Sequence, residues 1–140
     1  MQFDSNNHVN KLCAKGMELE GEGSFEEAGT VFLNAWNIAE NDIEKFIAAH
    51  YVARHQKNIE DKLQWDETAL KFALKMTDDT TKGVYPSLYL NVAKCHEDLN
   101  DFDNARKNYQ LALSFNTFLS DDGYGKMIKG GIMNGLERVK

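Results

Sequence analysis

Apolar residues recur along this chain at steps of three and four, the spacing that places them on one face of an α-helix. Phe25, Ala28, Phe32 and Ala35 form one such stripe, Phe102, Ala105, Tyr109 and Ala112 a second, and Tyr124, Ile128, Ile132, Leu136 and Val139 a third. No segment alternates with period two for long enough to make a sheet. The pattern predicts seven helices, over residues 5–21, 24–39, 42–56, 60–76, 82–98, 102–115 and 122–138. Helix-start chemistry stands between the stripes. Ser24-x-x-Glu27 and Asn41-x-x-Glu44 have the form of capping boxes, and Asn58, Asp101 and Asp121 or Asp122 are candidate N-caps. Gly23 and Asn100 stand where a helix must stop, and both tolerate the left-handed backbone.

The first two stripes belong to a repeat. Gly16, Gly23, Phe25, Ala28, Phe32 and Ala35 recur, each 77 positions on, as Ala93, Asn100, Phe102, Ala105, Tyr109 and Ala112. An intervening copy is read as Trp65, Thr68, Phe72 and Lys75, with Leu12, Phe46 and Tyr89 upstream of the three copies. In that alignment six extra residues fall inside the middle hairpin and three more precede the third. The six are expected to lengthen the helices on either side of a turn near Lys57 and Asn58, so that this hairpin overhangs. The small residues Ala28, Ala35, Ala105 and Ala112 are expected at close helix–helix contacts, and the aromatics Phe25, Phe32, Phe102 and Tyr109 between neighbouring hairpins.

This pattern resembles the tetratricopeptide repeat (TPR), a helix–turn–helix unit of 34 residues. The likeness covers roughly Val9 to Leu119. It implies an all-α, TPR-like α-solenoid forming a single domain over 1–140, with repeats at 9–42, 43–85 and 86–119 and a capping helix over 122–138. In TPR proteins the first helix of each hairpin lines a concave, peptide-binding face. Here that lining would draw on Asn10, Cys13, Met17 and Glu20, then Ile47, Tyr51, Arg54 and His55, then Ser87, Leu90, Asn91, Lys94 and Glu97, with Tyr124 closing the end. Some TPR domains clamp a carboxylate tail with Lys and Asn pairs. Cys13 and Met17 occupy two of those places, so this clamp is not expected.

Composition narrows the function. Net charge is −6 over 140 residues, the wrong sign for a general nucleic-acid binder. No stretch is long and apolar enough to cross a membrane, Met1 to Asn10 shows no secretory signal, and Cys13 and Cys95 make no disulfide framework. A cytoplasmic protein is expected. No phosphate-binding glycine loop or nucleophile elbow is present. The chain also resembles short bacterial TPR proteins that sometimes carry an rRNA adenine methyltransferase label. That chemistry needs a sheet, a glycine loop for S-adenosylmethionine and an Asn/Asp-Pro-Pro-Tyr-like strip, whereas the one proline here, Pro86, lies on a helical repeat. No enzyme activity, cofactor or metal is therefore expected; His50 and His55, five apart, share no helix face for zinc.

The segment from His50 to His55 carries the candidate binding chemistry. His50 and Arg54 are one turn apart, as are Tyr51 and His55. Tyr51 offers a stacking surface, and Arg54 a charge-assisted hydrogen bond to a peptide or carboxylate. Arg54, Asn91 and Lys94 are expected to form a locally basic strip. The expected function is a protein–protein interaction module that holds a peptide or protein segment in its concave groove through Ile47, Tyr51, Arg54, His55, Leu90, Asn91, Lys94 and Tyr124. The alternative is a small-ligand or signalling-peptide sensor whose groove changes conformation on binding. A homodimer through the glycine-rich C-terminal helix is a further expectation.

Overall fold

The computed structural model describes residues 6–140. Its helices are α1 (His8–Gly21), α2 (Phe25–Ile38), α3 (Asp42–Ala53), α4 (Ile59–Ala73), the single turn α5 (Asp79–Lys82), α6 (Tyr85–Asp98), α7 (Phe102–Ser114) and α8 (Gly123–Val139), with a 3-10 turn at Asn116–Phe118. Residue 5, the expected start of the first helix, lies outside the described residues. The seven long helices pack as sequential pairs, α1 on α2, α3 on α4 and α6 on α7, with α8 laid on α7 and α6. The fold is all-α and TPR-like.

The chain divides into two compact units, residues up to Ala73 and residues from Leu74. The first unit is built around Val9, Cys13, Leu19, Ala28, Phe32, Ala35, Ala48 and Val52. Gly16 sits directly against Phe32: a Cβ there would lie 2.4 Å from the ring, so only glycine lets α1 and α2 approach this closely. The second unit repeats the device with α8. Its core joins Ala93, Ala105, Tyr109 and Val139, and Gly135 of α8 meets the Tyr109 ring, where a Cβ would lie 2.3 Å away. Ala28, Ala35, Ala105 and Ala112 are wholly buried, as their spacing requires.

The helix ends follow side-chain chemistry. Asn7, Asn41, Asp78, Asp101 and Asp122 each accept a backbone N–H three residues on, and Asn58 does the same for Asp61. Gly23 and Asn100 adopt φ of 82° and 64°. Ser24 caps nothing, contrary to its capping-box spacing. The Glu44 carboxylate reaches back one residue further than a capping box requires, to the Glu40 N–H at 3.0 Å. It also accepts from Asn7 Nδ2 at 2.6 Å. These bonds hold it below the usual carboxylate range.

Two expectations about the repeats need correction. α3 starts 34 residues after α1, and α4 starts 34 after α2. The middle hairpin therefore has the TPR length with no insertion, and its helices, of 12 and 15 residues, are not extended. In this register Ile59, Lys62, Asp66 and Ala69 stand for Phe25, Ala28, Phe32 and Ala35. Trp65 and Phe72, once matched to the hairpin aromatics, instead meet Trp36 of α2 with ring centroids 5.1 and 6.1 Å apart. Lys75 lies past the end of α4. All nine extra residues precede the third hairpin. They form α5 and its flanks, where Asp78 caps the turn and the wholly buried Thr81 bonds back to it. This postpones α6 to Tyr85. The second correction concerns Phe25 and Phe102. As first residues of their helices they are 61% and 46% exposed rather than packed between hairpins.

Candidate functional site

The first helices of the first two hairpins, α1 and α3, lie side by side and make one layer of contacts. Tyr51 stacks on Phe32 with centroids 4.9 Å apart and donates its hydroxyl to Met17 Sδ at 3.4 Å. Burial pushes its phenol pKa up, helped by the nearby Cys13 thiol, while Arg54 opposes the rise. The Arg54 guanidinium lies 5.0 Å over the Tyr51 ring and donates to Glu20 Oε1 at 2.6 Å. The other oxygen of Glu20 meets His55 Nε2 at 2.7 Å. One carboxylate thus fixes both basic groups at the end of α3. Met17 is 39% exposed, and the Arg54 side chain is 45% exposed. Ile47 is half-buried beside Tyr51 against the core.

Asn10 and Cys13, expected in the lining, are buried at 6% and 1% exposure. Burial pushes the Cys13 thiol pKa to about 11, and the side chain packs in the core of the first unit.

The third-repeat candidates lie on α6. Lys94 is exposed and pairs with Asp98 at 2.5 Å on its own helix, and Asn91 is half-buried. Leu90 packs toward α8, where a Cβ on Gly131 would lie 3.2 Å from its side chain. Glu97 is a structural anchor. It accepts from the Tyr109 hydroxyl at 2.7 Å and from Arg138 of α8 at 2.8 and 3.1 Å. The Arg138 hydrogen bond is the main reason its pKa is low. Burial and the Glu97 bond push Tyr109 to about 12. Tyr124 is 51% exposed on α8. The expected basic strip is not one of free cations, since Arg54 and Lys94 each carry an acidic partner.

One polar group escaped the sequence reading. In the 34-residue register His50 stands where Gly16 stands, and Lys62 and Asp66 stand where Ala28 and Phe32 stand. Lys62 Nζ lies 2.6 Å from Asp66 Oδ2, with the Asp66 side chain only 3% exposed. His50 Nδ1 is buried and has no hydrogen-bond partner among the described residues. Desolvation lowers the His50 pKa; Asp66 opposes this, and Arg54 and Lys62 reinforce it. A polar cluster therefore replaces the glycine–aromatic contact of the first hairpin. The signal was the 34-residue recurrence of the helix-start positions Ser24 and Asn58. His96 on α6 has Asp101 Oδ2 3.6 Å from Nδ1.

Among the described residues no group of His, Cys, Asp or Glu has the makings of a metal site. No described helix is long and apolar enough to cross a membrane.

These helical pairs define a TPR-like fold. Among solved structures, the chain resembles PcrH from Pseudomonas aeruginosa, with a TM-score of 0.70 at 17% identity over 99% of this chain and 95% of that one. It matches PcrH in complex with the chaperone binding region of PopD equally well, at a TM-score of 0.71 and 17% identity, over 99% of this chain and 96% of that one. No protein-family model matches the chain, and no curated protein sequence matches it.

Proposed function

We propose that this protein is a peptide-binding module that holds a segment of a partner protein, acting as a binding protein rather than an enzyme. The observation that carries the reading is the layer of Met17, Tyr51 and Arg54 across α1 and α3. It joins a polarisable thioether, an aromatic ring and a guanidinium, all fixed by Phe32 and Glu20 beneath them. Such a preorganised, amphipathic surface suits a peptide, because little side-chain freedom remains to be lost on binding. PcrH, which has the same fold, is known in complex with a chaperone binding region. That supports the same mode of use here, with a chaperone-like role toward one partner. On this reading the protein is cytoplasmic. Ile47, Tyr51, Arg54 and His55 contribute from α3 in the first unit; Asn91 and Lys94 on α6 and Tyr124 on α8 are contact candidates of the second unit. Because Glu20 and Asp98 already engage the two cations, apolar and aromatic contact carries more of the affinity than recognition of an acidic tail.

An enclosed polar pocket would have favoured the small-ligand sensor, but Met17 and Arg54 stand open to solvent. The test is to isolate partners from native cell extract and titrate the captured segment against Tyr51→Ala and Arg54→Ala. Tyr51→Ala should weaken binding by about tenfold or more, equivalent to about 1.4 kcal/mol, with helicity unchanged. Wild-type affinity in both variants would place the contact elsewhere.

A further inference from the structure

A second surface of the first unit has the shape and charge of a docking site. A cleft of about 600 Å³ runs between α2 and the α3–α4 connection, within the range of ligand-binding clefts. Phe25, Gly29 and Leu33 form one wall, a stripe at four-residue spacing along α2; Val52, His55 and Trp65 close the other side. Phe25 and Leu33 are 61% and 44% exposed. Two large apolar side chains one wall apart, with a glycine between them, leave an open trough rather than a packed seam. Gly29 brings α2 close to His55: a Cβ there would lie 3.4 Å from His55 Cβ, in ordinary contact. A shallower depression beyond Phe25 shares Phe25, Glu26 and Thr30 with the cleft and adds Glu27 and Ser24.

Charge selects the occupant. Glu26 and Glu27 are exposed in the first turn of α2, and neither makes an ion pair among the described residues. Glu22 lies on the same α1–α2 turn, and the Ser24 hydroxyl caps no helix N–H. Lys57 is the one cation of the opposite wall. The end of the trough at the start of α2 is therefore acidic, with Glu26 on the cleft and Glu27 on the adjoining depression, while Lys57 stands on the other side.

We infer that this cleft docks a basic, apolar segment of a partner protein, in which bulky apolar side chains enter beside Phe25 and Leu33 and flanking Lys or Arg meets Glu26 and Glu27. This site adjoins the α1–α3 layer and shares only His55 with it. His55 lies between them, with Nε2 held by Glu20 and its Cβ side turned to Gly29.

The probe is a 14-residue amphipathic peptide of leucine and lysine, with a second peptide that carries glutamate for every lysine. Both are titrated calorimetrically against the whole protein, and amide shifts are followed by NMR. The lysine peptide should bind, shift the Gly29 and Thr30 amides, and lose about tenfold or more in affinity with Leu33→Asp and with Glu26→Lys/Glu27→Lys. Tyr51→Ala should leave this binding unchanged, which separates failure here from failure of the α1–α3 site. Leu33, Glu26 and Glu27 are exposed, and circular dichroism confirms that each variant, Tyr51→Ala included, is folded. Equal binding of the glutamate peptide, wild-type affinity in both cleft variants, loss of binding on Tyr51→Ala, or no binding at millimolar peptide would each overturn the inference.

Discussion

Gly16 and Phe32 meet so closely that one added methyl group would lie 2.4 Å from the ring. The ring is wholly buried and has no room to retreat. Gly16→Ala therefore sets a gain in helix propensity of ~1 kcal/mol against overpacking of ~1–3 kcal/mol. Overpacking should win, because the obstructing group is a packed aromatic and not a mobile side-chain tip. Urea unfolding of Gly16→Ala should show a lower midpoint with an unchanged slope.

Gly130 provides the opposite case. It lies on α8 with nothing within 4 Å of its missing Cβ. Gly130→Ala should raise stability by ~0.5–1 kcal/mol through helix propensity alone. A fall in the urea midpoint would mean that this face is covered, as the expected homodimer through α8 requires; sedimentation would then show the dimer.

Ala105 is wholly buried between α6 and α7. Ala105→Leu should lower stability by ~1–3 kcal/mol through overpacking. An unchanged thermal midpoint would contradict the register of the third hairpin.

His50 predicts a pH dependence. Its folded-state pKa lies below its ordinary value because burial disfavours the imidazolium. Between those two pKa values the unfolded chain binds more protons, so stability falls as pH falls from about 6.5. His50→Gln should flatten the slope of unfolding free energy over pH 5–7. Glu44 and Glu97, whose pKa values are lowered by hydrogen bonds, act in a lower window. Their stabilisation is present above the unfolded value of about 4.3 and is lost as pH falls through their folded values.

Arg138 ties α8 to Glu97 and Tyr109. Its side chain is 46% exposed, so solvent weakens the pair. Arg138→Met should cost about 1 kcal/mol and raise hydrogen exchange chiefly in α8. A Glu97→Gln/Arg138→Met double-mutant cycle isolates the pair from the packing of Gly135 on Tyr109.

Helix placement, the caps at Asn41, Asn58, Asp101 and Asp122, and the alanine contacts were legible in the sequence, because period and capping are local properties of a chain. Fold class followed, since amphipathic hairpins with small residues at fixed positions have few ways to bury their faces. The middle repeat was misread for a physical reason. Trp65 and Phe72 look like hairpin aromatics but pack on Trp36, while Asp66 holds the aromatic's place through its pair with Lys62. Only tertiary structure decides which partner satisfies a residue. It turned Arg54 from a free cation into one held by Glu20, 34 residues earlier, and Leu90 from groove lining toward α8. It also opened a cleft beside Gly29. Such pairings join residues far apart in the chain, and neither the period of one helix nor the chemistry of one turn carries them.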